Sequence, residues 1–448
     1  MGHFVPHSDA DIERMLADLG LTSLDELFDV VPEALRLAGG LDLDPGRSEP
    51  DVAWAMERLA GANRYGPELL CFAGAGAYDH EVPAATRRLA FRSEFVTAYT
   101  PYQPEASQGV LQALFEYQTF VSRLAGLEIA NASLYDGASA TVEALNMAAR
   151  PKGRSTMWIS GGLHPNWRSV VATFAAGSGH DLVEVPLRDG VTDWEAAPPG
   201  EPAALVVANP NFFGALEDVS AARAVADRHA AALVVAFDPV SAGLLRTPGE
   251  MGADIAVGEG QPLGTPLSFG GPYLGLFACR SSLVRRLPGR LVGRTLDAAG
   301  RAAYVTTLRA REQDIRREKA SSNVCTNQTL IAVAAMIQLS WLGTTGLAEL
   351  ALRCARGARY TREKLLAVPG VEPYVSAPTL REFALKLPVD AETVVDRMAE
   401  EGFLAGVAVG LEGGVATLGG EALLVSVTER RTRDEIDRYV ECIGKVMR

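Results

Sequence analysis

Along the first sixty residues, hydrophobic positions recur at helical spacing. Ile12, Met15, Leu16 and Leu19 follow a period near 3.6 behind the cap Ser8-Asp9-Ala10-Asp11, and the pattern continues with Pro and Gly breaks to about Ala62. Residues 1–64 therefore read as a helical arm laid over something larger. From about residue 65 the pattern becomes short, unbroken apolar runs at 156–160, 182–185, 204–208, 232–237, 255–257 and 273–278. Amphipathic stretches such as 166–176 and 219–231 separate them. Runs without polar alternation predict strands covered on both faces, so residues 65–320 read as one large α/β domain around a mostly parallel sheet. Beyond residue 320 comes a long uncharged helix. Helices (347–366, 391–401) then alternate with strands (381–387, 422–427), predicting a smaller α+β domain over 321–448.

Charge narrows the choice of function. The 448 residues carry 42 Lys+Arg against 55 Asp+Glu, a net charge of −13. That balance argues against nucleic acid or an anionic membrane held by bulk electrostatics, so an anionic ligand needs a local site. The five cysteines are scattered without a C-x-x-C pair, and the six histidines show no metal-ligand spacing, so no metal site is expected. The uncharged stretch 260–279 holds three prolines and five glycines, and 320–348 has only a short apolar middle. Neither is expected to span a bilayer. With an N-terminus that is neither apolar nor basic, the expectation is a soluble, cytoplasmic protein.

Four stretches could carry chemistry. Leu134-Tyr135-Asp136-Gly137-Ala138-Ser139-Ala140 opens a helix predicted over 141–150, where free N–H groups and the helix dipole suit a phosphate; a tightly packed, well-capped helix would look the same. Asp238 ends the apolar run at 232–237, at the strand end where open α/β sheets bind ligands. It could hold a pyridinium N–H, as in pyridoxal-phosphate enzymes, or merely form an Asx-turn ahead of Pro239. The Gly- and Pro-rich segment 258–272 lies between two strands, and a loop of that length in a compact domain points to close approach of a ligand or a partner chain. Tyr99, Tyr102, Gln103 and Glu105 lie on a proline-stiffened loop suited to an interface or pocket wall. His164 could stack on a flat ring or be a satisfied structural histidine, and the charged stretch 309–319 reads most simply as a solvated helix face.

Together these segments resemble the glycine decarboxylase P-protein family. The likeness rests on Tyr99–Glu105, Tyr135–Ala140, Asn209-Pro-Asn-Phe-Phe-Gly214, Gly258–Pro272 and Glu318-Lys-Ala-Ser-Ser-Asn-Val-Cys-Thr-Asn-Gln328, in order and over essentially the whole chain. More narrowly, they resemble subunit 1 of the split, two-subunit prokaryotic form. The resemblance implies a fold type I pyridoxal-phosphate transferase architecture, with a mainly parallel seven-stranded sheet. It also implies an α2β2 assembly with a homologous subunit 2. That pair would decarboxylate glycine on pyridoxal phosphate and pass the aminomethyl group to the lipoyl arm of H-protein.

One departure stands out. Laying the family's glycine-rich stretch on Gly258–Pro272 puts Gln261 where the Schiff-base lysine is expected, and a carboxamide cannot form an imine. None of the five lysines, Lys152, Lys319, Lys364, Lys386 and Lys445, follows Asp238 on the next strand or loop. The chain is thus expected to have no Schiff base of its own, with the cofactor bound by subunit 2. Asp136, Gly137, Ser139, His164 and Asp238 would then remain as a vestigial cofactor pocket. Tyr99, Tyr102, Gln103 and Glu105 become candidates for facing the partner's site. Two alternatives stay open: a purely structural, partner-stabilising subunit, or an independent enzyme using Lys319 or Lys152.

Overall fold

The computed structural model describes residues 6–37, 40–64, 68–96, 99–149 and 153–448. The chain divides into two compact units, Met1–Arg64 and Tyr65–Arg448. In the first, α1 (Asp9–Leu19) begins at a capping box of Ser8 and Asp11 and ends at Gly20 in the left-handed conformation. Helix α2 (Glu49–Gly61) starts at Ser48, whose side chain accepts from the Asp51 N–H. Of the described residues in this unit only Leu16 is buried, so it has no core of its own.

The second unit is built on a seven-stranded sheet: β1 (Ile129–Ala130), β2 (Thr156–Ser160), β3 (Asp181–Val185), β4 (Ala204–Asn209), β5 (Ala232–Phe237), β6 (Ile255–Glu259) and β7 (Gly275–Cys279). Their order is β1-β7-β6-β5-β4-β2-β3. Neighbours are parallel except β7, which runs antiparallel to both β6 and β1. Helices on both faces explain the unbroken apolar runs. Val206, Val234 and Val257 face a layer containing α4 (Gly137–Ala149), on which α5 (Pro165–Ser178) also packs. Leu205, Val207, Leu233 and Val235 turn the other way, towards α6 (Val219–Arg228). Ala256, Leu276 and Ala278 meet α3 (Gln108–Ala125).

A hairpin of β8 (Leu291–Leu296) and β9 (Ala302–Thr307) precedes α7 (Thr329–Leu366). A five-stranded antiparallel sheet follows, from β10 (Glu372–Pro373), β11 (Glu382–Lys386), β12 (Val407–Glu412), β13 (Val415–Leu418) and β14 (Ala422–Ser426), in the order β10-β11-β14-β12-β13. Its helices are α8 (Ala391–Glu400) and α9 (Arg433–Val446). Helix α7 is long and apolar enough to cross a membrane by composition, but Gly343 breaks its backbone. Its first half (Ala332, Val333, Met336) packs in the core of the large sheet, and its second half (Ala358, Leu365) in that of the small one. The sheets share a helix, so residues 65–448 form one compact unit with no break near residue 320.

Two segments differ from expectation. The helix predicted to begin at Thr141 begins at Gly137, because Asp136 caps it through the Ser139 N–H. The stretch 309–319 is not a continuous helix face. It is a chain of single turns (Arg309–Arg311, Gln313–Arg316, Arg317–Lys319), with left-handed Leu308 before it and Arg317 at φ +52°, ψ −127° within it.

The turn after β4 fixes how the small sheet meets the large one. Asn211 Oδ1 accepts from the backbone N–H groups of Phe213 and Ala215, and Gly214 closes the turn at φ +77°. A Cβ on Gly214 would lie 1.9 Å from the Glu382 carbonyl oxygen of β11. Gly214→Ala is expected to cost about 2–3 kcal/mol through backbone strain and forced separation. A lowered urea midpoint at unchanged slope would register it, and an unchanged midpoint would contradict this packing.

Candidate functional site

Strands β5 and β6 run parallel with Phe237 opposite Gly258, so each carries a carboxylate just past that pair, Asp238 and Glu259. Between them and β11 lies a cavity of about 90 Å³, lined by His164, Trp167, Phe212, Asp238, Glu259 and Arg381 among others. This is the ligand position of open α/β sheets, at strand carboxyl ends.

The cavity is dominated by a buried cation. Arg381 Nε lies 2.9 Å from Asp238 Oδ2, with the two side chains 4% and 14% exposed. The guanidinium stacks on the Tyr78 ring, 3.6 Å from its centroid, and donates through Nη1 to His80 Nε2. His80 Nδ1 is 2.7 Å from Glu429 Oε2. Burial, the largest single influence, pushes the Glu429 carboxyl up, but the bond and charge of His80 together with the Glu81 N–H outweigh it and lower the pKa to about 2. Next to Arg381, Glu382 accepts from the Ala75 N–H at 2.7 Å and the Tyr78 hydroxyl at 2.9 Å, and burial raises its pKa to about 7. His80, Cys354 and Glu429 gather closely enough to hold a metal ion, a grouping invisible in the sequence. The His80–Glu429 bond and the Arg381 N–H already satisfy its imidazole and carboxylate.

The helix N-terminus expected to cradle phosphate is also engaged. The Gly137 N–H donates to Glu259 Oε2 at 3.0 Å and the Ser139 N–H to Asp136 Oδ1 at 2.7 Å. Glu259 Oε1 accepts from the Gln261 and Leu274 N–H groups at 2.9 and 2.8 Å. Burial, the larger influence, still pushes the Glu259 carboxyl up to about 8. Trp167 packs so closely on Gly137 that a Cβ there would meet its ring at 2.1 Å.

Gln261 is buried just beyond β6 and acts as a staple. Its Oε1 accepts from the Tyr78 N–H at 2.9 Å, while Nε2 donates to the carbonyls of Tyr78 (3.1 Å) and Thr265 (2.7 Å). His164 donates through Nε2 to the Ala75 carbonyl at 2.8 Å and accepts at Nδ1 from the Asn166 N–H, the tautomer that fits both bonds. Burial lowers its pKa.

Of the expected pocket residues, His164 and Asp238 line the cavity, whereas Asp136, Gly137 and Ser139 do not; nor does Gln261, at the position expected for the Schiff-base lysine. Asp238 also makes the Asx-turn, accepting from the Val240 N–H at 3.1 Å. Tyr99, Tyr102, Gln103 and Glu105 are exposed and lie outside the cavity. Tyr102 is held between guanidiniums, Arg290 at 5.3 Å and Arg309 at 5.0 Å. Among the described residues no lysine lines the cavity. Lys364, Lys386 and Lys445 pair with Asp437, Glu421 and Glu441; Lys319 lines another cavity, and Lys152 lies outside the described residues. Sequence reasoning missed Arg381, Glu382, Tyr78 and Glu259 as site residues. The available signals were two charges at the head of an apolar strand, and a carboxylate at the end of β6 matching that of β5.

A seven-stranded sheet with one reversed strand, and an aspartate at the crevice end of a central strand, define the fold type I class of pyridoxal-phosphate-dependent enzymes. An alanine–glyoxylate aminotransferase from Nostoc sp. shares the fold, with a TM-score of 0.59 at 17% identity over 86% of this chain and 97% of that one. The chain belongs to the glycine cleavage system P-protein family, whose sequence profile matches residues 2–443. It is 48% identical to a probable glycine dehydrogenase (decarboxylating) subunit 1 from Prosthecochloris aestuarii, over 99% of both chains. The crystal structure of an inhibitor-bound glycine decarboxylase (P-protein) of the glycine cleavage system superposes with a TM-score of 0.89. Identity there is 43%, covering 99% of this chain and 100% of that one.

Pyridoxal phosphate does not fit the residues present. Its phosphate would need the N–H groups held by Glu259 and Asp136, and its ring nitrogen would need the carboxylate facing Arg381. Its aldehyde would need an amine where no lysine among the described residues lines the wall. The cavity of about 90 Å³ is also well below the ~300–1,000 Å³ usual for small-molecule sites.

Removing the cation should be severe. Arg381→Ala strands Asp238 in the interior and is expected to cost about 3–5 kcal/mol in chemical denaturation. A loss below about 1 kcal/mol would mean the pair is not buried as described. Glu259 gives a pH test. Its folded pKa lies above the ordinary carboxyl value, so its stabilising effect is complete below pH ~4.5 and lost as pH rises through about 8. Glu259→Gln should therefore flatten the fall in melting temperature between pH 5.5 and 8.5. An unchanged slope would refute the raised pKa.

Proposed function

We propose that this chain is the half of a two-subunit glycine decarboxylase that lacks the Schiff-base lysine, paired as α2β2 with a homologous subunit 2 that holds pyridoxal phosphate on its own lysine. The pair releases carbon dioxide from glycine and passes the aminomethyl group to the lipoyl arm of H-protein. The observation carrying this reading is the filled crevice. Arg381 sits on Asp238, Glu259 caps the Gly137 N–H, and Gln261 is bonded on all sides to backbone. Such a chain keeps the family scaffold without the means to hold the cofactor, so its use lies in what it presents to a companion.

Tyr99, Tyr102, Gln103 and Glu105 are the surface we assign to that role. Gln108 stiffens their loop, donating to the Pro104 and Tyr304 carbonyls and accepting from the Tyr304 N–H. Such a loop closing over the companion's site would exclude water, which favours loss of the substrate carboxylate. The five unpaired cysteines suit a reducing, cytoplasmic compartment. A second reading, a partner-stabilising subunit without catalytic contribution, draws support from Tyr102, already occupied by its own two arginines.

Glycine–bicarbonate exchange on each chain alone and on the mixture tests the proposal. Activity is expected only in the mixture, and exchange by this chain alone would refute it. In the assembled pair, Tyr102→Phe with Gln103→Ala should lower exchange about tenfold if the loop serves chemistry. Unchanged exchange with intact assembly would favour the scaffolding reading. Gln261→Lys alone should retain no pyridoxal phosphate after borohydride, because Arg381 and Glu259 still fill the crevice.

A further inference from the structure

A second charged concavity lies apart from the crevice and has no part in the proposed chemistry. Arg285, Arg286, Arg311, Arg316, Lys319 and Ser321 line a cavity of about 490 Å³. Five cations thus converge in a chain of net charge −13. Among the described residues none of the five makes an ion pair: Asp314 is taken by Arg309 at 3.1 Å, and only Arg311 feels a nearby carboxylate, that of Glu312.

Arg311 donates through Nη1 to the Leu287 carbonyl, while its Nε and Nη2 are shut off from solvent and meet no acceptor. Leaving such donors unmatched costs about 1–3 kcal/mol. The backbone here is strained as well, with Arg317 at φ +52°, ψ −127°, a conformation that persists only where surroundings impose it. A solvated helix would spread these charges over a convex face. Broken turns gather them around an open hollow instead, of a size usual for small ligands.

We infer that this cavity binds a small multivalent oxyanion of phosphate or pyrophosphate chemistry. Arg316, whose Nε is held by the Ala310 carbonyl, offers its terminal guanidinium nitrogens, Lys319 a point charge and Ser321 a hydroxyl donor, while Arg311 adds its charge from the wall. Arg285 and Arg286 supply the remaining neutralising charge. The site rests on these observations alone and stands or falls independently of the glycine chemistry.

Titration calorimetry with inorganic pyrophosphate, on the full chain alone and reconstituted with subunit 2, tests this directly. Saturable one-site binding is expected in both, tighter than for orthophosphate. Lys319→Ala combined with Arg285→Ala, both exposed and outside any ion pair, should weaken it at least tenfold at unchanged melting temperature. Arg311→Ala is the less informative change, because Nη1 also supports Leu287. Absence of saturation at millimolar pyrophosphate, or equal affinity in the double variant, overturns the inference. Binding that vanishes on reconstitution overturns it too, since the cations would then serve a carboxylate of the companion chain.

Discussion

A guanidinium cannot lie among apolar strands unless a carboxylate meets it, and the contact between Arg381 and Asp238 satisfies that requirement where the two sheets come together. Asp238 belongs to the large sheet and Arg381 to the edge of β11, so one ion pair joins the layers and closes the crevice between them. Tyr78 beneath the guanidinium, His80 beside it and Glu382 next to it in sequence all derive their positions from it. The pair is weak support for overall stability, since burying both charges costs nearly as much as their attraction returns. Its effect is specificity: one arrangement of the layers is permitted, and a competing cationic ring is refused.

The crevice has the shape of a ligand site whose contents are supplied by the chain itself. A carboxylate stands where an anion would meet the helix N-terminus, a guanidinium faces the aspartate, and an amide replaces the amine. Each of these groups finds its partner within the chain, so the crevice is filled without the cofactor. The family resemblance and the chemical departure are therefore compatible.

Much of the architecture was legible because parallel strands buried on both faces leave continuous apolar runs, as at 204–208 and 232–237. Asp238 was legible for the same reason, as the first charge after such a run. Arg381 was not, because its significance depends on a partner 143 positions away, and pairing over that distance leaves no periodicity. Glu259 was hidden among glycines that drew attention to backbone freedom. The segment 309–319 misled in another way, since its alternation of charges suits a helix, yet the positive φ at Leu308 and Arg317 prevents one from continuing.

Helix α7 begins inside one core and ends inside the other. Two layers strung on a common rod cannot swing apart as independent bodies without pulling hydrophobic side chains into water. Any breathing of the crevice must therefore come from its loops, or from flexure at Gly343, where the rod is already interrupted. Evolution that reopened the hollow would have to work by exchanging side chains rather than by loosening a hinge.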